Sequence, residues 1–459
     1  MAAQLGSSNR PLRVAVVGSG PSGFYAVEAL FLSTQSLLVD MYERLPTPFG
    51  LVRYGVAPDH YKIKNVTKIY EKTASNKFFS FFGNVTVGKD ISLAQLAQFY
   101  DAIIFACGAE TDKKLGIPGE NLPGSYTATE FVAWYNGHPD FRDRKFDLSS
   151  EVAVVVGQGN VAIDVCRILC KNVDELKETD IAKHALDALI NSKIKEIHLI
   201  GRRGPAQAAF TPAEIKEFEE LDDCDPIVHL NDLKINAQSH AELGDPDSML
   251  RIRNWDILQE FAFRQPLGRK KKFYLEFLKS PIELVGKTRL EKAIFEKNEL
   301  VGPIGAQKAK GTGVKEEIAC GLFLRSVGYR GVAIDGVPYD NERGVFPNQD
   351  GRLLKDGQVS KGLYAVGWIK RGPSGVIGTN KPDSMATVRS LIDDLPNLPP
   401  CQSPDRSSVL EFFKKKNTRV VSFEDWKKID AAEIERGKAV GKPREKFITV
   451  EEMLKAAGK

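Results

Sequence analysis

Two short glycine-rich stretches carry residue types that could cradle a phosphate. Gly18-Ser19-Gly20-Pro21-Ser22-Gly23 has the spacing G-x-G-x-x-G, and Gly157-Gln158-Gly159-Asn160-Val161-Ala162 has G-x-G-x-x-A. In such a turn the first glycine allows a sharp exit from a strand. The second has no Cβ, so a pyrophosphate can approach the backbone, and the third small residue lets the helix pack on the strand. The residues that follow differ in charge. Glu43 lies 20 residues past Gly23, where a carboxylate can accept hydrogen bonds from a ribose hydroxyl pair. Arg202 and Arg203 stand at the matching place in the second unit. An acid there would repel a 2′-phosphate, whereas a guanidinium fork binds one. The first turn therefore suits a dinucleotide with a free ribose, such as FAD, and the second suits NADP(H).

The surrounding patterns supply the elements these turns need. Val14–Val17 and Val152–Val156 are β-branched runs of the kind buried on both faces of a sheet. Each runs into its glycine turn and then into a helix. The first helix has an apolar face at Val27, Leu30 and Phe31, the second at Val161, Val165, Ile168 and Leu169. "SLLVDMYE" and "EIHLI" (196–200) read as the next strands, the latter delayed by a polar helical insertion at about 171–193. "DAIIFACG" (101–108) is a further buried strand, and "LGIPGENLPG" (115–124) reads as a linker. "LFLRSVGYRG" (322–331) reads as the returning strand. A third glycine-rich site, "KGLYAVGWIKRGPSGVIGTN" (361–380), has a strand over Leu363–Val366 and a helix opening at Gly375-Val376-Ile377. That helix N-terminus could stabilise negative charge beside it. Residues 401–459 are expected to be helical and to wrap the surface. The fold class is α/β, with two Rossmann-like dinucleotide-binding domains and the NADP domain inserted into the FAD domain: 1–111, then 112–325, then 326–459.

Bulk composition narrows the function classes. With 459 residues, 42% hydrophobic and 27% charged, the chain can build two or three globular domains. A net charge of +4, from 64 basic and 60 acidic residues, is too balanced to suggest a nucleic-acid protein by itself. No apolar run reaches the length of a membrane span, so none is expected. The six cysteines include no C-x-x-C pair, which argues against a dithiol or zinc ribbon and fits a reducing compartment. No metal site is expected. The simplest location is the cytoplasm, or the mitochondrial matrix if a transit peptide is absent from this chain.

These motifs stand in a familiar order. "GSGPSGFY", "PFGLVRYGVAPDHYKIKNV", "GQGNVAIDVCRIL", "GRRGPAQAAFT" and "GWIKRGPSGVIGTN" together resemble adrenodoxin reductase-type ferredoxin–NADP(+) reductases, flavoproteins of the glutathione-reductase-like branch. The similarity runs from about residue 13 to the C-terminus. Ser22 stands where alanine is frequent, and Tyr61 where proline commonly follows the histidine. The resemblance implies an enzyme that moves electrons from NADPH through FAD to a small [2Fe–2S] ferredoxin, supplying P450 or iron–sulfur biogenesis pathways. It implies FAD contacts at Ser22, Glu43, Leu51, Val87, Trp368 and Gly375 to Ile377. It implies NADP contacts at Gln158, Gly159, Asn160, Val161, Arg202, Arg203, Glu214 and Gly375. It also places His60 and Asp164 together near the nicotinamide, where they could couple protons to reduction or position the ring.

"RQPLGRKKKFYLEFLK" (264–279) concentrates basic residues, Arg264, Arg269, Lys270, Lys271, Lys272 and Lys279. Such a run is either a solvated face or a docking surface for an acidic ferredoxin. The protein is expected to act as a monomer. Competing readings are another NADPH-dependent FAD oxidoreductase such as a monooxygenase, a disulfide reductase, and a non-catalytic nucleotide-sensing module.

Overall fold

The computed structural model describes residues 4–33 and 35–459. They form two compact units: one of residues up to Val56, His60–Thr111 and Gly328–Lys459, the other of Ala57–Asp59 and Asp112–Val327.

The first unit is built on a seven-stranded sheet. Its order is Asn348–Gln349, Arg352–Lys355, Gln358–Ala365, Ala102–Phe105, Leu12–Val17, Leu37–Glu43 and Phe79–Gly83. The last five strands are parallel, and the first two add to them by antiparallel pairing. Leu12–Val17 is buried along its whole length, as its β-branched run requires of a strand covered on both faces. The pairing of Leu363 with Ile103 puts the third glycine-rich site at the same sheet end as the first turn. The C-terminal region departs from the expected surface wrap. The helices Phe423–Lys438 and Val450–Ala457 bury Phe423, Trp426, Ile429, Met453 and Leu454 in one cluster with Phe24, Phe49 and Phe79. Most of their charged residues lie on the outer faces, while Asp425 and Glu433 are buried beside the apolar stripe that completes the core.

The second unit has a six-stranded sheet, parallel throughout. The order is Ser125–Thr127, Leu322–Arg325, Val152–Val156, Glu196–Ile200, Lys271–Glu276 and Cys224–Val228. The helical insertion expected at about 171–193 consists of two short helices, Val173–Lys177 and Lys183–Ile190, and it is less polar than its composition implied. They bury Leu176, Leu186 and Leu189, and Ile181 between them is buried as well. Residues 115–124 are folded onto this unit rather than free. Leu284 N–H donates to the Pro118 carbonyl at 2.9 Å, and the buried Glu120 accepts from the N–H groups of Leu115 and Gly116. A three-stranded antiparallel sheet, Lys279–Val285, Lys292–Val301 and Lys308–Ala319, was not expected from the sequence pattern. Among the described residues no helix is long and apolar enough to cross a membrane.

Candidate dinucleotide sites

The two glycine turns are built alike. Gly18 has φ of 108° and Gly157 of 128°, left-handed backbone that favours glycine. A Cβ at Gly18 would strike the Ala106 carbonyl, and one at Gly157 the Ser326 carbonyl. At Gly20 and Gly159 the space where a Cβ would point is open. Both of these residues cap eleven-residue helices, Pro21–Phe31 and Asn160–Cys170, and neither helix has a side-chain cap. The contrast lies within the same chain. Leu93–Phe99, Ala128–Tyr135, Val173–Lys177 and Phe423–Lys438 all carry capping boxes. At the two glycine turns the N-terminal N–H groups and the positive end of the helix dipole are available to an anion.

Several predicted residues gather at the first turn. Glu43 ends its strand beside Ser19, whose hydroxyl donates to it at 2.6 Å, and Leu45 N–H donates to its other oxygen at 3.1 Å. Ser19 N–H also donates to the carboxylate at 3.3 Å, so of about four lone-pair sites one remains for a ribose hydroxyl. Phe49 N–H donates to the Ser19 carbonyl at 3.1 Å, which brings the segment leading into the short helix Leu51–Tyr54 against the turn. Leu51 is 39% exposed there, while Val87 is buried in the loop after Phe79–Gly83. Ser384, on the helix that follows the third glycine-rich site, donates to the Ser22 carbonyl at 3.0 Å, and Gly367 of that site lies so close to Ser22 that no Cβ fits. Trp368 is half-buried and donates its ring N–H to the Ser374 carbonyl at 3.2 Å. The helix expected to open at Gly375-Val376-Ile377 starts later. A 3₁₀ turn, Ile377–Thr379, leads into Asn380–Asp394, and Gly375 takes a left-handed φ of 81° before it.

At the second turn, Gly157 N–H donates to the Ile200 carbonyl at 2.9 Å, Asn160 accepts from Thr211 N–H at 2.9 Å, and the Gln158 amide donates to the Glu276 carbonyl at 3.3 Å. Val161 is half-buried. Arg202 and Arg203 are exposed in the loop after Glu196–Ile200. Glu276, on the next strand, accepts from both His198 Nδ1 and Lys279 Nζ at 2.5 Å. Burial pushes its carboxyl up, but those hydrogen bonds and the Lys279 charge outweigh burial and hold it at about 2.

The helix Asn160–Cys170 is buried on more than its apolar face, because Asp164 and Arg167 are buried too. Arg167 is fully buried and donates to Asp164 at 2.7 Å, to Glu214 at 3.2 Å and through a fork to Asp59 at 2.9 and 3.1 Å. Glu217 lies 3.2 Å away. One guanidinium thus gathers four carboxylates, two of them predicted site residues. His60 belongs to the other unit, at the N-cap of the short helix Tyr61–Lys64. Sequence reading missed Arg167. Its signal was a second charge three residues after Asp164 inside "VAIDVCRIL".

The basic segment is only partly a free surface. Lys271 Nζ donates to the Leu169 and Lys171 carbonyls at 2.7 and 3.0 Å, closing the C-terminus of Asn160–Cys170. Burial pushes that ammonium's pKa down. Arg269 donates to the Cys224 carbonyl, and Lys279 is paired with Glu276 and Glu316. Arg264, Lys270 and Lys272 are exposed, the first two facing Glu219 and Asp223 at 3.6 and 3.7 Å.

No family model matches the chain. It is 44% identical to NADPH-ferredoxin reductase FprA of Mycobacterium tuberculosis over 97% of this chain and 99% of that one. It is 40% identical to the mitochondrial NADPH:adrenodoxin oxidoreductase of Homo sapiens over 97% and 92%. The chain belongs to the NADPH–ferredoxin and adrenodoxin oxidoreductase family. It is therefore an oxidoreductase. A solved structure of Mycobacterium tuberculosis FprA in complex with NADPH superposes with a TM-score of 0.92, at 43% identity, over 98% of this chain and all of that one. The α/β fold with two dinucleotide-binding domains is that of the reductase family.

In this reductase the thiols are poorly placed for chemistry. All six cysteines are free, and Cys166, Cys170, Cys224 and Cys320 are buried. Burial, helped by the Glu110 charge, pushes the Cys107 thiol up to about 12. A thiolate is the reactive form, so Cys107 is inert near neutral pH.

Proposed function

We propose that this protein binds FAD at the first glycine turn and NADPH at the second, and passes electrons from NADPH through FAD to a small [2Fe–2S] ferredoxin. One observation carries the reading. The two uncapped helix N-termini share their backbone geometry, while the groups beyond them are opposite in charge, Glu43 in one unit and Arg202 with Arg203 in the other. The open approach at Gly20 and the free acceptor capacity of Glu43 fit the pyrophosphate and ribose of FAD. Bound FAD supplies the conversion of a two-electron hydride into single electrons, so one NADPH yields NADP+, a proton and two reduced ferredoxins. The chain's part is to bind and orient. Leu51, Val87 and Trp368 line the cofactor, and Gly375, Val376 and Ile377 lead into a helix whose N-terminus stabilises negative charge beside it. Gln158, Gly159, Asn160 and Val161 hold the second pyrophosphate. Asp164 and Glu214, both fixed by Arg167, serve the nicotinamide end, where Asp164 couples proton movement to reduction.

The partner is an acidic ferredoxin. Arg264, Lys270 and Lys272 are the charges of the basic segment left for it, with Arg269 and Lys271 shaping the strand that presents them. The protein works as a monomer in a reducing compartment, the cytoplasm or the mitochondrial matrix, in keeping with its free cysteines.

Changing Arg202 and Arg203 together to Ala tests the assignment of the second turn. Each charge-assisted hydrogen bond lost should cost about 1.5–3 kcal/mol. The ratio of kcat/KM for NADPH over NADH should collapse, with flavin content unchanged. An unchanged ratio would show that the phosphate is held elsewhere.

A further inference from the structure

Beyond Arg202 and Arg203, a third guanidinium belongs to the same region of the second unit. Arg251 opens the helix Met249–Phe263 and donates from Nη1 to Glu242 at 3.3 Å. Its side chain is 43% exposed, whereas that of Glu242 is only 3% exposed. Glu242 is unusually well anchored. It also accepts from Gln207 at 3.0 Å, from Gln307 at 2.9 Å and from Gly305 N–H at 2.9 Å. Ser239 accepts from both glutamine amides, at 2.9 and 3.0 Å. Gln207 sits four residues past Arg203, in the 3₁₀ turn Pro205–Gln207 that closes the arginine loop. The network thus ties Arg251 to that loop through two buried side chains.

We infer that Arg251, held in place by buried Glu242, is a third guanidinium of the site for the NADPH 2′-phosphate and helps reject NADH. This rests on the assignment of Arg202 and Arg203 made above. The ion pair engages one nitrogen of Arg251, and a guanidinium has five N–H donors, so donors remain for an anion. Electrostatics point the same way. Burial, then the charges of Arg202 and Arg251, push the Arg203 guanidinium's pKa down, against the opposing pull of Glu242. Three cations around one carboxylate leave a net positive site. A dianionic phosphate relieves their repulsion, and a plain ribose hydroxyl does not. Glu242 fixes the geometry beforehand, so less side-chain entropy is lost on binding.

The test compares adenosine 2′,5′-bisphosphate with 5′-AMP, which differ only in the 2′-phosphate, by calorimetric titration of the purified holoenzyme. Arg251→Gln should weaken the bisphosphate about tenfold or more, the order of one charge-assisted contact, and leave 5′-AMP within about twofold. Arg251→Lys keeps the charge without the fork and should lose less. It also serves as the folded variant if the glutamine form is unstable. The bisphosphate preference of the parent should fall with added salt, and that slope should be shallower in Arg251→Gln. Arg202→Ala with Arg203→Ala is the control. If the control abolishes the preference and both Arg251 variants keep it in full, this inference is wrong and the parent assignment stands. If the control itself keeps the preference, the arginine loop is not the phosphate site and both readings fall.

Discussion

Arg167 and Asp164 form a buried ion pair, 2.7 Å between nitrogen and oxygen, one turn apart on the helix that follows the second glycine turn. The same guanidinium serves Asp59, Glu214 and Glu217, so the two members of the pair are not equivalent. Arg167→Met leaves four carboxylates without their shared cation and should destabilise the protein by about 3–5 kcal/mol. Asp164→Asn leaves Arg167 with three carboxylates and should cost far less. The asparagine variant should therefore stay folded and show altered kcat or pH dependence of NADPH oxidation. Thermal melts of both variants, with a pH–rate profile of the second, check this. Equal melting losses would mean that Asp164 is mainly structural.

Glu43 should govern flavin retention. Glu43→Ala removes a carboxylate that already orders Ser19 and the Leu45 N–H, as well as the proposed ribose acceptor. On dilution or in mild urea, the variant should release FAD more readily, while NADP+ binding to the remaining holoprotein stays close to the parent. Released flavin is read by fluorescence. Flavin held as tightly as in the parent would mean that the first turn has been given the wrong ligand.

Acid stability should depend on Glu276. Its folded pKa, about 2, lies below the ordinary 4.5. A depressed carboxyl contributes stability above its unfolded pKa and loses it as pH falls through the folded one. The contribution is therefore full above about pH 5 and fades toward pH 2, amounting to roughly 3 kcal/mol for the whole shift. Melting temperatures of the parent and Glu276→Gln should differ most at neutral pH and converge toward pH 2–3. A gap that does not change with pH would contradict this.

The extent to which the sequence disclosed these features follows from the range of the forces involved. Both glycine turns were legible because their constraint is local: a strand end, a left-handed glycine and a helix start within six residues. The positions of Glu43 and the two arginines were legible because each follows the second strand of a βαβ unit, 20 residues past the glycine turn in the first unit and 40 in the second. Arg167 was not, since its meaning depends on Asp59 and Glu214, far away in the chain. The basic segment was only partly legible for the same reason. Asp223 and Glu219, which face Lys270 and Arg264, and the helix end closed by Lys271 approach only after the parallel sheet forms. The C-terminal helices read as surface because their composition is polar. Burial of Glu433 against Arg53, at 2.5 Å across 380 residues, shows how deeply that region enters the core.

Charge reversal on the remaining exposed cations tests the partner face. Arg264→Glu, Lys270→Glu and Lys272→Glu combined should slow ferredoxin-dependent cytochrome c reduction at low salt, and the difference from the parent should shrink as salt rises, because screening acts within about 8–10 Å. NADPH–ferricyanide activity, which needs no docking, should remain nearly intact. A triple variant that reduces ferredoxin at the parent's rate would place the docking surface elsewhere, for example around Lys370 and Arg371.

The passage of electrons from NADPH through FAD to ferredoxin is tested most directly by one anaerobic titration. NADPH is added to the purified yellow protein while the flavin absorbance is followed, and then oxidised ferredoxin and cytochrome c are supplied. The flavin band should bleach with about one equivalent of NADPH, and far more slowly with NADH. Cytochrome c should then be reduced only when ferredoxin is present, two per NADPH consumed. Flavin that NADPH does not bleach, or a bleached flavin that ferredoxin does not reoxidise, would contradict the account.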